Sequence, residues 1–256
     1  MAASDSISQA IRNAAAQGRP AIIGWVTAGF PTKESFRDLL CRVGAASDVV
    51  EIGVAFSDPM ADGATIQRAS RVALDNGVCL RWILDELSRP GPRPAAPLVL
   101  MSYLNPLLAF GLDKLPKAAA EAGVAGFIIP DLPFEECADM RRALEAHGLA
   151  LVQLVTPVTP DARLKMLSEA TGGFVYAVTM TGTTGKNVAL PQETLDYFAR
   201  VKAVSPHPVC AGFGIRSVEQ VKRLAPYVDG VVVASALVEM LERGEDPAVF
   251  LQSLRG

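Results

Sequence analysis

Short apolar runs alternate along most of the chain with longer segments in which apolar residues recur every three or four positions. The runs lie at Ala21 to Thr27, Val49 to Val54, Leu98 to Ser102, Val124 to Pro130, Leu149 to Val155, Phe174 to Thr179, Pro208 to Gly212 and Val228 to Ala234. They are rich in Val, Ile and Leu, as strands buried on both faces require. Between them the spacing is helical: Phe36, Leu39, Leu40 and Val43 mark one face of a helix expected from Thr32 to about Val43. A leading helix with Ile7, Ala10, Ile11 and Ala14 on one side precedes the first strand, with Ser4 or Ser6 as its cap and its end by Gly18. Three joints resemble one another, G-A-A-S-D-V-V-E-I, E-A-G-V-A-G-F-I-I and A-P-Y-V-D-G-V-V-V, each leading from a helix end into a strand. Eight strands, seven crossover helices and a final helix from Ser235 predict an α/β fold, a (β/α)8 TIM barrel with an extra N-terminal helix. An open doubly wound sheet ranks below it, because the strand count is eight and no strong dinucleotide fingerprint follows the first strand.

Composition fits a single barrel domain over residues 1–256, since barrels of this kind reach such a length as one unit. Hydrophobic residues make up 50% and aromatics 6%, a balance that calls for a core of Ala, Val, Leu and Ile. The Pro-rich stretch S-R-P-G-P-R-P-A-A-P runs straight into the strand at Leu98 and reads as a stiff connection within the domain. A net charge of -3 with scattered basic residues offers nucleic acid or an anionic membrane no electrostatic footing. Cys41, Cys79, Cys137 and Cys210 stand far apart without a C-x-x-C pair, so neither a zinc site nor a disulfide framework is expected. No apolar run reaches membrane-spanning length and the N-terminus lacks the apolar core of a signal peptide, so a cytoplasmic protein is expected.

Chemistry concentrates between Val49 and Gln67, V-V-E-I-G-V-A-F-S-D-P-M-A-D-G-A-T-I-Q. Glu51 interrupts an apolar strand, where a carboxylate is costly to bury unless a partner or a function holds it. Asp62 follows in the next loop, so one acid at a strand's end and one in a loop could face each other as an acid and base pair. In a barrel the active face lies at the C-terminal ends of the strands, where Glu51, Asp62, Asp131, Thr156, Thr179 and Gly212 all fall. Asp131 and Asp161 are expected to be caps or turn residues, and the bland alternative for Glu51 is a buried structural ion pair. G-T-T-G-K-N at Gly182 to Asn187 lacks P-loop spacing, and G-F-G-I-R-S at Gly212 to Ser217 lacks the third glycine of a dinucleotide loop. Taken with V-A-S-A at Val233 to Ala236, however, they place backbone N–H groups and a helix start after the last strands, a phosphate-binding arrangement. No His pair or acid cluster stands at metal-ligand spacing, so no metal is expected.

E-I-G-V-A-F-S-D-P-M-A-D-G-A-T-I-Q resembles the pattern E-x-G-x-P-[FY]-S-D-P-x-A-D-G-P-x-I-Q of the tryptophan synthase α chain family. Supporting matches follow in order over nearly the whole chain: T-A-G-F-P, Tyr103 with Asn105-Pro106, P-D-L-P, T-G-T-T-G, G-F-G-I and the final S-A. The resemblance implies retro-aldol cleavage of indole-3-glycerol phosphate to indole and glyceraldehyde 3-phosphate without a cofactor. Glu51 would be general acid and base, and Asp62 would bind the indole N–H. Trp25, Ile66, Met101, Tyr103, Ile128, Pro130, Leu154 and Tyr176 would line the indole pocket, some of them serving only as core. Gly185, Phe213, Gly214, Ala234 and Ser235 would surround the phosphate, and Thr184 would close over substrate. A β chain carrying pyridoxal phosphate is the implied partner, in an αββα complex, with Asp58, Asn105 and Pro106 at the coupling surface. Met60, Leu104, Leu107, Leu108 and Phe110 would crowd the same mouth, in part as core. A free-standing lyase or a non-catalytic subunit that activates a β chain are the alternatives. Two residues depart from the family pattern: Ala64 stands in place of Pro, and Ala234 in place of Gly, where a positive φ would make Ala strained and weaken phosphate binding.

Overall fold

Eight parallel strands close on themselves in sequence order, each bonded to the next and the last to the first. The computed structural model describes residues 3–179, 191–212 and 214–255. The strands are β1 (Ala21–Thr27), β2 (Val49–Gly53), β3 (Leu98–Met101), β4 (Val124–Ile128), β5 (Ala150–Val155), β6 (Val175–Val178), β7 (Val209–Gly212) and β8 (Gly230–Val233). Each falls inside the apolar run that predicts it.

Among the described residues the helices are α1 (Ala3–Ala16), α2 (Phe36–Ala46), α3 (Ala64–Asp75), α4 (Leu80–Ser88), α5 (Leu104–Phe110) and α6 (Leu115–Glu121). They continue as α7 (Ala138–Glu145), α8 (Asp161–Ala170), α9 (Gln192–Val204), α10 (Val218–Leu224), α11 (Ser235–Glu242) and α12 (Pro247–Ser253). The expectation of one helix per crossover is corrected here: α3 and α4 join β2 to β3, and α5 and α6 join β3 to β4. Gly77 at φ 73° and Gly111 at φ 106° stop the first helix of each pair, since only glycine adopts such angles without strain. α2 starts four residues later than Thr32, because the Thr32 hydroxyl accepts from the Ser35 N–H and holds a local turn instead. Nor do Ser4 and Ser6 cap α1; both lie within it, and the Ser6 hydroxyl donates back to the Ala3 carbonyl.

Alternation along the strands sorts the core into two shells. Ile23, Val49, Val99, Val152, Phe174 and Val232 fill the barrel interior, whereas Val50, Ile52, Leu100 and Phe127 face the helices. α1 covers the lower mouth, with Ile7, Ile11 and Ala14 buried in the interior cluster and the Ser8 hydroxyl donating to the Gly173 carbonyl. Two of the similar joints share one device. Asp48 accepts from the Ile22 N–H and Asp229 from the Val209 N–H, each at 2.8 Å, so a carboxylate ahead of one strand anchors the start of its neighbour. Arg19 and Lys202 neutralise these two acids, at 2.7 Å and 3.1 Å.

Gly53 ends β2 on the inward-facing side. A Cβ there would lie 2.1 Å from Trp25 Cζ2, so the indole ring occupies the space a side chain would need. Gly53→Ala is expected to destabilise the fold by about 1–3 kcal/mol, as overpacked cores do. A thermal melt should show a midpoint lower by roughly 2–4 °C per kcal/mol. An unchanged midpoint would mean that the ring has room to move aside.

Candidate active site

Glu51 is the third of the five residues of β2, paired in register with Trp25 on β1 and Val99 on β3. The expected strand-end position is therefore corrected to mid-strand. Val49 faces the interior and its neighbours Val50 and Ile52 face outward, so Glu51 points into the barrel. It is 0% exposed, and neither carboxyl oxygen has a hydrogen-bond partner among the described residues. The structural ion pair is thereby excluded among those residues. Burial raises the Glu51 pKa from its ordinary 4.5 to about 8, and the negative charge of Asp62 adds to the shift. At neutral pH this side chain is mainly an uncharged acid with a proton to give.

Asp62 sits half-buried in the loop between β2 and α3. Burial raises its pKa, while a hydrogen bond from the Tyr103 hydroxyl pulls it back. Tyr103 also accepts from the Ala61 N–H at 2.9 Å and stacks its ring 5.3 Å from that of Phe56. Gln67, in the first turn of α3, donates to the Asp62 carbonyl at 2.8 Å. Tyr103, expected only as a pocket wall, thus holds the acidic loop from the β3 side. Burial and the charge of Asp62 push its own pKa up to about 12, so the hydroxyl keeps its proton and remains a donor. Tyr103→Phe is expected to raise the Asp62 pKa further and to lower kcat/KM by about tenfold, the scale of one charge-assisted hydrogen bond. A pH–rate profile whose acid limb does not move would count against this role.

The remaining wall residues separate by depth. Trp25, Ile66 and Ala234 share one cluster, Tyr176 and Leu154 belong to the interior cluster, and Met101 packs against both. The Trp25 indole N–H donates to the Thr27 hydroxyl at 2.9 Å, which fixes the ring across the pocket. Tyr176 packs against Gly212, where a Cβ would meet its ring at 2.7 Å. Ile128 is 0% exposed and belongs to the same interior cluster as Tyr176 and Leu154. Pro130 lies outside both clusters, half-buried, in a cavity that it lines together with Leu154.

After β7 Gly214 is exposed at φ 72°, and after β8 Ala234 precedes α11, of which Ser235 is the first residue. The Leu237 N–H bonds back to the Ala234 carbonyl at 2.9 Å, so the Ser235 and Ala236 N–H groups head the helix as donors for an anion. Ala234 has φ -119°, which any residue adopts, so the expected strain from a positive φ is overturned. Ala64 is the first residue of α3, the position proline favours. Thr184, Gly185 and Phe213 lie outside the described residues.

Asp131 accepts from the Leu104 N–H at 2.8 Å, so it caps α5 across the top of the barrel. Asp161 opens α8 and pairs with Arg200 at 3.0 Å. At the same mouth Asp58 accepts from the Ser57 hydroxyl and Asn105 is exposed, while Pro106 lines a cavity with Phe56 and Phe110. Among the apolar residues expected there, Met60 is 80% exposed and Leu108 49%, but Leu107 is fully buried and Leu104 and Phe110 pack on the core. Val158, which the sequence does not single out, is 74% exposed in the loop after β5. Among the described residues no three His, Cys, Asp or Glu side chains are grouped to hold a metal, and no helix is long and apolar enough to cross a membrane.

Comparison with known proteins gives a consistent result. The family model described as tryptophan synthase alpha chain matches residues 11–254. The tryptophan synthase alpha chain of Nitratidesulfovibrio vulgaris is 46% identical over 248 residues, covering 96% of each chain. That of Chloroflexus aurantiacus is 40% identical over 242 residues, covering 93% of this chain and 90% of its own. Among solved structures, a chain of Mycobacterium tuberculosis tryptophan synthase aligns with TM-score 0.89 at 36% identity, covering 97% of this chain and 96% of the other. The alpha subunit of Legionella pneumophila aligns with TM-score 0.87 at 32% identity, covering 100% and 97%.

Proposed function

The chain belongs to the tryptophan synthase alpha chain family, and on that premise we propose that it cleaves indole-3-glycerol phosphate by a retro-aldol reaction to indole and glyceraldehyde 3-phosphate. The observation that carries this reading is Glu51, wholly buried, unpartnered among the described residues and held largely protonated near neutrality. A neutral acid in an apolar barrel is suited to protonating a carbon. Glu51 gives its proton to C3 of the indole ring, leaving the ring cationic. Asp62 accepts a hydrogen bond from the ring N–H and stabilises the positive charge that develops there. The bond from C3 to the glycerol side chain then breaks, its electron pair returning to the ring, while the hydroxyl on the departing carbon becomes the aldehyde. Glu51, now a carboxylate, takes the hydroxyl proton and returns to its starting state.

The reaction consumes and releases one proton at one group, so this chain's step needs neither a metal nor a cofactor. Trp25, Met101, Leu154 and Tyr176 supply an apolar slot for the indole. Gly214, Ala234 and Ser235, with Thr184, Gly185 and Phe213, receive the phosphate. The partner is a β chain holding pyridoxal phosphate, which receives indole across the mouth that carries Asp58, Asn105 and Pro106, where Met60 and Leu108 are exposed. Burying such apolar loops would favour association.

Indole release from indole-3-glycerol phosphate by the purified chain, with and without a tryptophan synthase β chain, tests the proposal. Strong stimulation by β is expected. High activity that β leaves unchanged would indicate a free-standing lyase, and no cleavage under either condition would leave a subunit that only activates its partner.

A further inference from the structure

Arg216, in the loop after β7, and Glu239, on α11, are 23 residues apart in sequence yet form a two-pronged ion pair. Nη1 donates to Oε2 at 2.7 Å and Nη2 to Oε1 at 2.8 Å. Both side chains are only about one-third exposed or less, at 31% and 27%. The backbone around Arg216 is held independently: its N–H and that of Ser217 donate to the Gln220 side chain, and Ser217 with Gln220 forms a reciprocal cap on α10. Glu239 lies one turn beyond Ser235 on the same helix. The pair therefore ties the glycine loop at Gly214 to the helix whose first N–H groups would receive the phosphate of the proposed substrate. The same carboxylate reaches a third element, with the Thr65 hydroxyl 3.5 Å from Glu239 Oε1 at the start of α3, directly after the Asp62 loop. One turn further along, Arg68 on α3 pairs with Glu242 on α11 at 3.0 Å. Ile66 and Ala69 of α3 share one buried cluster with Val238 of α11 and with Trp25.

We propose that Arg216 and Glu239 are positioning residues for this reaction: their ion pair sets the spacing of the two phosphate-binding backbones and fastens both to the segment that carries Asp62. Neither side chain needs to touch substrate. A loop held in place loses less conformational freedom when phosphate binds, so the pair acts on binding of the phosphate end more than on the chemical step. The Arg fork makes the geometry specific, because lysine offers the charge without the paired donors. This inference rests on the proposed cleavage of indole-3-glycerol phosphate.

The test is steady-state indole release by the full chain with its β chain, comparing wild type with Arg216→Gln, Arg216→Lys, Glu239→Gln and the exchange Arg216→Glu with Glu239→Arg. Arg216→Gln is expected to raise KM about tenfold, the cost of one charge-assisted pair, with kcat within about threefold of wild type. Glu239→Gln, which also frees α3, should raise KM similarly and lower kcat as well. Arg216→Lys should recover part of the KM loss, and the exchanged pair more of it. A purely structural role would lower the melting midpoint and leave KM alone, and an unchanged KM in Arg216→Gln overturns the inference. If Glu239→Gln does not fold, Arg216→Lys decides: a raised KM with an unchanged melt supports the role, and an unchanged KM removes it. Wild-type chain that releases no indole would instead remove the functional reading, and this inference with it.

Discussion

Glu51→Gln is expected to lower kcat for indole release by about 10²–10⁴, the range ascribed to a positioned general acid or base, with a much smaller change in KM. Glutamine matches the shape of the neutral acid and has no acidic proton to give. The same change has a signature in stability. The folded-state pKa of Glu51, about 8, lies above its ordinary 4.5, so the native chain binds this proton more tightly than the unfolded one. Stability from this group is complete below pH 4.5 and is lost as pH rises through 8, because the unfolded chain ionises freely while the native one resists. Across that window the wild type should lose on the order of 4 kcal/mol relative to Glu51→Gln, at 1.36 kcal/mol per pKa unit. Chemical denaturation at pH 5, 7 and 9 measures it. Activity should fall above pH 8 in the wild type as the proton is lost. Retention of more than a tenth of wild-type kcat by the glutamine variant would assign the proton to another group.

Asp62→Asn should cost roughly 10²-fold in kcat, comparable to removing one electrostatic stabiliser of a developing charge. Asparagine still accepts a hydrogen bond from the indole N–H, so KM should change less than kcat. The charge of Asp62 contributes to the raised pKa of Glu51, so its removal should bring that pKa down. The alkaline limb of the kcat profile then shifts to lower pH in Asp62→Asn. A limb that stays in place would mean that the two acids do not act on each other. If KM rises and kcat does not fall, Asp62 binds substrate without stabilising the transition state.

The barrel was legible because its strands are buried on both faces. Such strands must be nearly continuous runs of Val, Ile and Leu, and a run of that kind separated by helical spacing has few other readings. Glu51 was legible for the same reason, as a carboxylate in a place where burial is costly. The split of crossovers at Gly77 and Gly111 was harder to see, since apolar spacing continues past a helix break and only the backbone angle marks the stop. Leu107 and Leu108 are adjacent and chemically alike. One is buried and the other half exposed, and the sense of α5 against the barrel decides between them.

By itself, the sequence determined the eight strands and their order, two acids as candidates for the chemistry and the pattern of the family. These are local properties: a period of hydrophobicity, a charge out of place, a short ordered motif. The tertiary structure decided that Glu51 sits in mid-strand with no partner among the described residues, that Tyr103 holds the Asp62 loop, that Ala234 is unstrained, and that Arg216 meets Glu239. The Tyr103 contact and the Arg216–Glu239 pair join residues from different crossovers, and the isolation of Glu51 depends on strands brought together around it. Closure of the sheet sets those distances and the local dielectric, and no one segment of the chain contains them.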